Sequence, residues 1–281
     1  MSSPHPCPRC GHRMAHLSLN GHDQRLVEVD HCRDCRLVWF DDFESVQLSG
    51  LGWVQLLRRL DEGGGLALAP PLVQAPGCPH CRQALKTVLN RTRFGAFAAL
   101  ECPIRHGHLH THTGLLAERG LVRALLPPER ERLRQGLLRL NCLNCGAAAD
   151  ARHDDCRFCG SAIVVVDLPR LLHALTRERH GHEPAPAPQG TPMAWPCLAC
   201  GHPLDPQRDA QCPSCGDPAA APGLAELAPL LDRAEQLLND AASQRLLDAA
   251  RTRPVAYERP TRERTWRDTQ LARLGRFFRR D

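Results

Sequence analysis

The chain is poor in the residues that usually build a large core. Only 4% of its 281 residues are Phe, Trp or Tyr, and there is a single Tyr. Gly and Pro are frequent, at 21 and 24 residues. One extensive core is therefore not expected, and several small units are. The chain also lacks any run approaching the roughly 20 apolar residues of a membrane span. Its opening, Met-Ser-Ser-Pro-His-Pro, holds no apolar stretch that could act as a signal peptide. A cytoplasmic location is the expectation. No phosphate-cradling Gly loop and no strand-embedded Ser motif is present, which removes two large enzyme classes. Lysine is nearly absent too, since arginine supplies thirty-five of the thirty-six basic side chains. We read that ratio as base composition rather than as selection for phosphate binding.

Cysteine is what the chain has. Fifteen Cys fall as seven Cys-x-x-Cys pairs plus the single Cys102. Taken in order, they make three complete sets: Cys7, Cys10, Cys32 and Cys35; then Cys142, Cys145, Cys156 and Cys159; then Cys197, Cys200, Cys212 and Cys215. The remaining set, Cys78, Cys81 and Cys102, needs a histidine. His106 is the first choice and His108 the alternative, within a run that continues to His110 and His112. Four tetrahedral sites thus account for every thiol, an arrangement that suits Zn²⁺ at four ions per chain. Iron in a rubredoxin-like site is the chemical competitor, and the histidine ligand argues for zinc. Disulfides would need an oxidising compartment, and paired knuckles are the wrong pattern for them. A thioredoxin-like reading fails because no βαβ pattern surrounds any pair.

The expected fold class is small, metal-stabilised α+β: tandem zinc ribbons, each a short β-hairpin with Cys knuckles, joined by helices and linkers, with a helical carboxyl end. The expected boundaries are 1–62 for the first ribbon with a helix, 63–76 for a linker and 77–126 for the second ribbon. Residues 127–182 then hold a helix, the third ribbon and a further helix. A Pro-rich linker at 183–196, the fourth ribbon at 197–222 and C-terminal helices with a basic tail at 223–281 complete the chain. Each ribbon is a size that rarely folds without metal, so metal is expected to replace most of the hydrophobic core. Asn20-Gly21 marks the first hairpin turn, Asn90 to Gly95 the second, and Ile163–Val166 a strand closing the third ribbon. Helices are expected over 115–126, from Pro127 to about Leu140, from Leu168 to about Arg179, and from Pro229 to about Ala250. Of the four histidines at 106–112, one is expected to bind metal and the others to be solvated. Asp41, Asp42 and Glu44, after the second knuckle, read as helix-capping carboxylates rather than as an acid/base set.

The order Cys7-Pro8-Arg9-Cys10-Gly11, a hairpin, then Asp30-His31-Cys32-Arg33-Asp34-Cys35 and Leu37-Val38-Trp39-Phe40-Asp41-Asp42-Phe43-Glu44 resembles the bacterial transcription-factor-IIB-type zinc-ribbon family. Trp39, Asp41 and Glu44 match its Trp-hydrophobe-Asp-x-x-Glu segment, and the resemblance covers roughly residues 5–60. It implies a zinc-ribbon fold and, by name, a link to transcription. Arg36 stands where that family usually has Gly, which implies a less tight turn at this knuckle.

Charge bears on partners. The formal net charge is +5 without metal. A four-thiolate zinc carries formally −2 and a three-thiolate one −1, so four loaded sites bring the chain to about −2. Residues 251–281 hold ten Arg against Glu258, Glu263, Asp268 and Asp281, leaving the zinc-bearing body acidic. Nucleic-acid binding wants a basic surface and stacking aromatics. Near the second hairpin the chain offers Arg91, Arg93 and Arg105 with Phe94 and Phe97, and both Phe sit among small residues as core positions would. A non-enzymatic adaptor engaging a protein partner is the expectation, with a nucleic-acid-binding or transcription-associated ribbon protein as the alternative. The tail, with Trp266, Leu271, Leu274, Phe277 and Phe278 beside its arginines, reads either as a helix docked on the ribbons or as a recognition helix for a partner's groove or an anionic surface.

Overall fold

The computed structural model describes residues 5–61, 76–92, 95–176 and 192–252 of the protein. Most of the 63–76 and 183–196 segments, the Arg93-Phe94 hairpin tip and the basic tail beyond Thr252 lie outside the described residues. Met1–Asp240 forms one compact unit, and Ala241–Asp281 forms a second.

Alternating apolar residues build the first hairpin. Strand β1 (Ala15–Asn20) pairs antiparallel with β2 (Leu26–Cys32), placing Leu19 opposite Val27 and Leu17 opposite Val29. Strand β3 (Leu37–Asp41) follows the second knuckle. A short helix α1 (Glu44–Gln47) and the longer α2 (Gly50–Asp61) follow. The second ribbon contributes β4 (Lys86–Thr92), β5 (Gly95–Glu101) and β6 (Gly107–Thr111). β6 then pairs with β3, so the two ribbons share one antiparallel six-stranded sheet in the order β1-β2-β3-β6-β5-β4.

Strand β3, at the centre of this sheet, is apolar on both faces because each face meets a different core. On β3, Leu37 and Trp39 join the cluster that contains Cys7, Cys32, Cys35, Cys78 and Cys102. Val38 and Phe40, on the other face, join the cluster built with the helices. Gly107 makes the junction possible. It has φ +149°, and a Cβ there would overlap the Phe40 carbonyl oxygen. Two more glycines let α2 approach other backbone closely: a side chain at Gly50 would meet the Leu175 carbonyl, and one at Gly52 the Asn20 carbonyl.

After β6, α3 (His112–Glu118) begins with Thr111 as N-cap, its hydroxyl accepting from the Gly114 N–H at 3.0 Å. The helix is shorter than the expected 115–126. Gly120 takes φ +68°, and the chain then runs extended as β7 (Val122–Ala124). Helix α4 (Pro127–Arg134) likewise stops before Leu140, with Gly136 at φ +73° just beyond it. Strand β8 (Val164–Asp167), α5 (Leu168–Thr176), β9 (Trp195–Pro196), β10 (Pro203–Leu204), β11 (Ala220–Ala221) and α6 (Ala228–Thr252) complete the described chain. Trp195, expected in a linker, is instead buried and pairs in β9 with Leu204.

A second sheet has the order β11-β8-β7, so the chain after the fourth ribbon pairs with the strand that closes the third. β8 repeats the device seen in β3: Val165 faces the cluster around Cys142, Cys145 and Cys156, while Val164 and Val166 face the helical core. That helical core overturns the expectation of small, separate cores. One hydrophobic cluster takes in Trp53, Leu56 and Leu57 of α2, Leu115 and Leu116 of α3, Leu171 and Leu175 of α5, and Leu230, Leu231 and Ala234 of α6. Leucine supplies the apolar volume that the scarce aromatics do not.

Candidate metal centres

Every sequence-assigned ligand set is gathered in space. Cys7, Cys10, Cys32 and Cys35 form one group, and Cys78, Cys81, Cys102 and His106 a second. Cys142, Cys145, Cys156 and Cys159 form a third, and Cys197, Cys200, Cys212 and Cys215 a fourth, with ligand atoms within 4.8 Å of one another in each. Cross-knuckle contacts are tighter. Cys10–Cys32 and Cys81–Cys102 sulfurs are 3.7 Å apart, Cys142–Cys159 3.6 Å and Cys145–Cys156 3.5 Å. Cys197–Cys215 and Cys200–Cys212 follow at 3.6 and 3.7 Å. In the second group His106 Nδ1 lies 3.7 Å from both Cys78 and Cys102 sulfurs.

These lengths test the fit of a metal. Disulfide sulfurs would be about 2.05 Å apart. A tetrahedron with metal–sulfur bonds of about 2.3 Å has edges of about 3.8 Å, and replacing one sulfur by nitrogen shortens its edges to about 3.6 Å. The observed donor–donor distances match the edges of such tetrahedra, with no fifth protein ligand needed in any of the four. The dimension alone accepts iron as well as zinc.

Local backbone explains why Cys-x-x-Cys-Gly folds this way. In six knuckles the first Cys carbonyl accepts from the N–H four residues on, from Gly11, Arg82, Gly146, Gly160, Gly201 and Gly216 at 2.8–2.9 Å. The N–H of the same Cys donates to the carbonyl five residues on, closing a rubredoxin-like turn at 2.7–2.9 Å. Such a turn requires positive φ after the second Cys, and those five glycines have φ between 71° and 77°. Inside the loop, N–H groups point at sulfur, as when Ala199 donates to Cys197 Sγ at 3.4 Å. Arg36 adopts φ +53° and Arg82 +62°. Arg36 keeps the left-handed φ without Gly, and its N–H donates to the Arg33 carbonyl at 3.3 Å, longer than the 2.8–2.9 Å bonds of the six knuckles above, in line with the less tight turn that the resemblance implied.

Without metal the thiols compete for charge. Cys32 hydrogen-bonds Cys7 and holds its thiol down to about 5, while Cys32 itself is driven up. Cys142 does the same for Cys159, held at about 4, and is raised in turn. Burial pushes Cys35 up to about 12 and Cys145 to about 11. Only a cation lets all four sulfurs of a set ionise together, so binding releases protons.

The histidine run is divided between roles that spacing did not separate. His106 joins the second group, and His108 does not. His108 stacks on Phe40 with ring centroids 5.5 Å apart. His110 and His112 are buried rather than solvated, and burial holds both well below the usual imidazole range. His112 Nε2 lies 3.0 Å from Nε2 of His31, and His110 Nε2 lies 3.1 Å from Glu118. His110 lies on β6, which runs through the interior of the six-stranded sheet, and His112 opens α3 directly after it.

The carboxylates at the end of β3 also divide. Glu44 accepts from the Asp41 N–H at 2.7 Å, a backbone-capping role, and burial raises its carboxyl to about 7. Asp42 faces Arg105 at 3.5 Å. Asp41 instead engages side chains: its Oδ1 accepts from the Trp39 indole N–H at 2.7 Å and lies 2.9 Å from His80 Nε2. His5 and His80 were missed by reasoning from spacing. The one signal was a histidine inside the Cys78-Pro79-His80-Cys81 knuckle.

No sequence-family model matches the chain, and neither a curated protein nor a solved structure matches it. The resemblance over residues 5–60 rests on its motif residues alone. Among the described residues, no helix is long and apolar enough to cross a membrane.

Proposed function

We propose that the protein is a non-enzymatic, zinc-binding interaction module whose four ligand sets each hold a structural zinc, and which engages a protein partner. Closure carries this reading. Each set supplies four protein ligands, leaving no position for water or substrate, and together they engage every thiol. The mixed Cys₃His set favours zinc over iron. Each set sits at strand ends or in loops and ties two chain segments together, which is structural work.

Two observations favour a protein over a nucleic acid as partner. Arg105, a candidate phosphate contact, is turned toward Asp42 and lies over the Phe43 ring at 5.6 Å. Phe97, a candidate stacking platform, is buried. Phe43 is exposed at φ +66°, a costly conformation for an aromatic residue, and Ile104, which precedes Arg105 in the chain, is exposed too. The acidic charge of the loaded body points the same way. The resemblance of residues 5–60 to transcription-factor-IIB-type ribbons, carried by Trp39, Asp41 and Glu44, sustains the transcription-associated reading as the alternative.

Capture from the native cell separates the two. A defined protein recovered with the full chain, and retained after nuclease treatment, is the expected result. Loss of the partner with nuclease, together with affinity that falls steeply as salt rises, would move the assignment to nucleic acid.

A further inference from the structure

Three side chains far apart in sequence meet where the first and second ribbons adjoin. His5 lies two residues before the first knuckle, Asp41 ends β3, and His80 sits inside the first knuckle of the second ribbon. Their ligand atoms lie within 4.8 Å of one another. His5 Nε2 is 2.8 Å from His80 Nε2, and His80 Nε2 is 2.9 Å from Asp41 Oδ1. None of the three belongs to the four closed sets.

Protons alone satisfy this arrangement poorly. If His80 Nε2 carries hydrogen, it can aim one straight bond, at His5 or at Asp41, and the other close contact goes unmet. If it carries none, its lone pair faces a carboxylate oxygen at 2.9 Å. A cation among the three satisfies every contact together. Two donors at right angles on a first-row ion, each at about 2.0–2.1 Å, are about 2.9 Å apart, close to both observed separations. Two imidazoles and one carboxylate on one side of an ion is also a recognised donor set with open positions.

Surrounding groups orient the donors. The His5 backbone N–H donates to Oδ2 of the buried Asp30 at 3.2 Å, and His5 Nδ1 lies 3.5 Å from the same oxygen, so Asp30 holds this residue in place. His16 Nδ1 in turn lies 2.8 Å from Asp30 Oδ1. The Trp39 indole fixes Asp41 Oδ1 at 2.7 Å.

We propose that His5, Asp41 and His80 form a further metal site, distinct from the four cysteine sets, that takes one divalent first-row transition ion on two nitrogens and one oxygen and leaves the remaining positions to water. The site spans the two ribbons at the end of β3, where Asp41 lies. With one carboxylate the loaded site carries formally +1, against −2 for a four-thiolate site. With three protein donors and partial exposure, its ion exchanges with solvent, whereas the cysteine sites hold theirs. This inference goes beyond the four-zinc reading and does not depend on it.

The test uses full-length protein with its cysteine sites loaded, passed over a weak chelating resin and then titrated with Co²⁺. Cobalt on sulfur gives an intense thiolate charge-transfer band, and cobalt on nitrogen and oxygen gives only weak visible absorption. The expected result is one additional equivalent of Co²⁺ without the charge-transfer band. His80→Ala, at an exposed position, should weaken that uptake at least tenfold while the tightly held zinc is unchanged. His12→Ala, at an exposed histidine beside Asp34, should leave it intact. Absence of the additional equivalent, its persistence in His80→Ala, or its appearance only with the charge-transfer band would overturn the proposal. A zinc count short of four would count against the cysteine-site reading and not against this one, because the sulfur-free cobalt signal is scored separately.

Discussion

The first two ribbons and the last two solve the same problem with different amounts of backbone. In the first pair the inner ligands Cys10 and Cys32 are 22 positions apart, and Cys81 and Cys102 are 21 apart. That length suffices for full hairpins, which merge through β3 and β6 into six strands. In the second pair the corresponding separations are 11 and 12. The interval from Cys145 to Cys156 contains only turns and isolated bridges, and the strand pairing within the fourth ribbon is limited to the two-residue pairing of β9 with β10. Where the loop is long, a hydrogen-bonded ladder shares the task of holding the knuckles. Where it is short, the metal and a few packed side chains hold them alone. Metal dependence should therefore differ between the two halves.

The largest effect is expected from Cys156→Ser against Cys10→Ser. A structural zinc contributes on the order of 10–16 kcal/mol at neutral pH. Loss of it at the third site should abolish hydrogen-exchange protection over residues 141–163. Cys10→Ser should cost a zinc as well, yet leave the strand amides of β1–β3 protected. Equal protection in both variants would break the comparison. Acid should act in the same direction at all four sites. Thiols raised by burial, Cys35 to about 12 and Cys145 to about 11, must lose their protons to bind, so apparent metal affinity falls as pH falls.

Next in size is the histidine ligand. His106→Ala should lower bound zinc by about one ion per chain, while His108→Ala leaves the zinc count unchanged and affects only packing on Phe40. The reverse outcome would move the ligand to His108. Gly107→Ala attacks the junction of the first two ribbons. The added Cβ overlaps the Phe40 carbonyl, and forced overlap of this kind costs about 1–3 kcal/mol, readable as a lowered denaturation midpoint at constant metal content. The smallest effect is a gain. Arg82 holds φ +62° where the equivalent residue of five other knuckles is Gly, so Arg82→Gly should stabilise the protein by about 1 kcal/mol.

The four ligand sets were legible in the sequence because a knuckle is a local object: two Cys, two spacers and a residue with positive φ. Strand pairs within a ribbon were legible for the same reason, from Asn20-Gly21 and from the alternation of Leu17, Leu19, Val27 and Val29. What joins the ribbons was not. The pairing of Trp39 with Leu109 crosses seventy positions, and nothing near either residue specifies it. The unbroken apolar run Leu37-Val38-Trp39-Phe40 did carry a clue, since a strand apolar on both faces must be covered on both. Leucines of four helices converge on one core for a similar reason: each helix showed its own stripe, and none showed its partner. Gly120 and Gly136 ended α3 and α4 early, and both lay inside segments read as helix or as helix end. His5 and His80 meet across 75 positions, so their juxtaposition belongs to the tertiary fold alone.

The most direct test of the account is the metal content of the full chain, purified without added metal and freed of loosely held ions on a weak chelating resin. Elemental analysis should give close to four zinc per chain, as four closed ligand sets require. Two zinc or fewer, or a majority of iron, would contradict it.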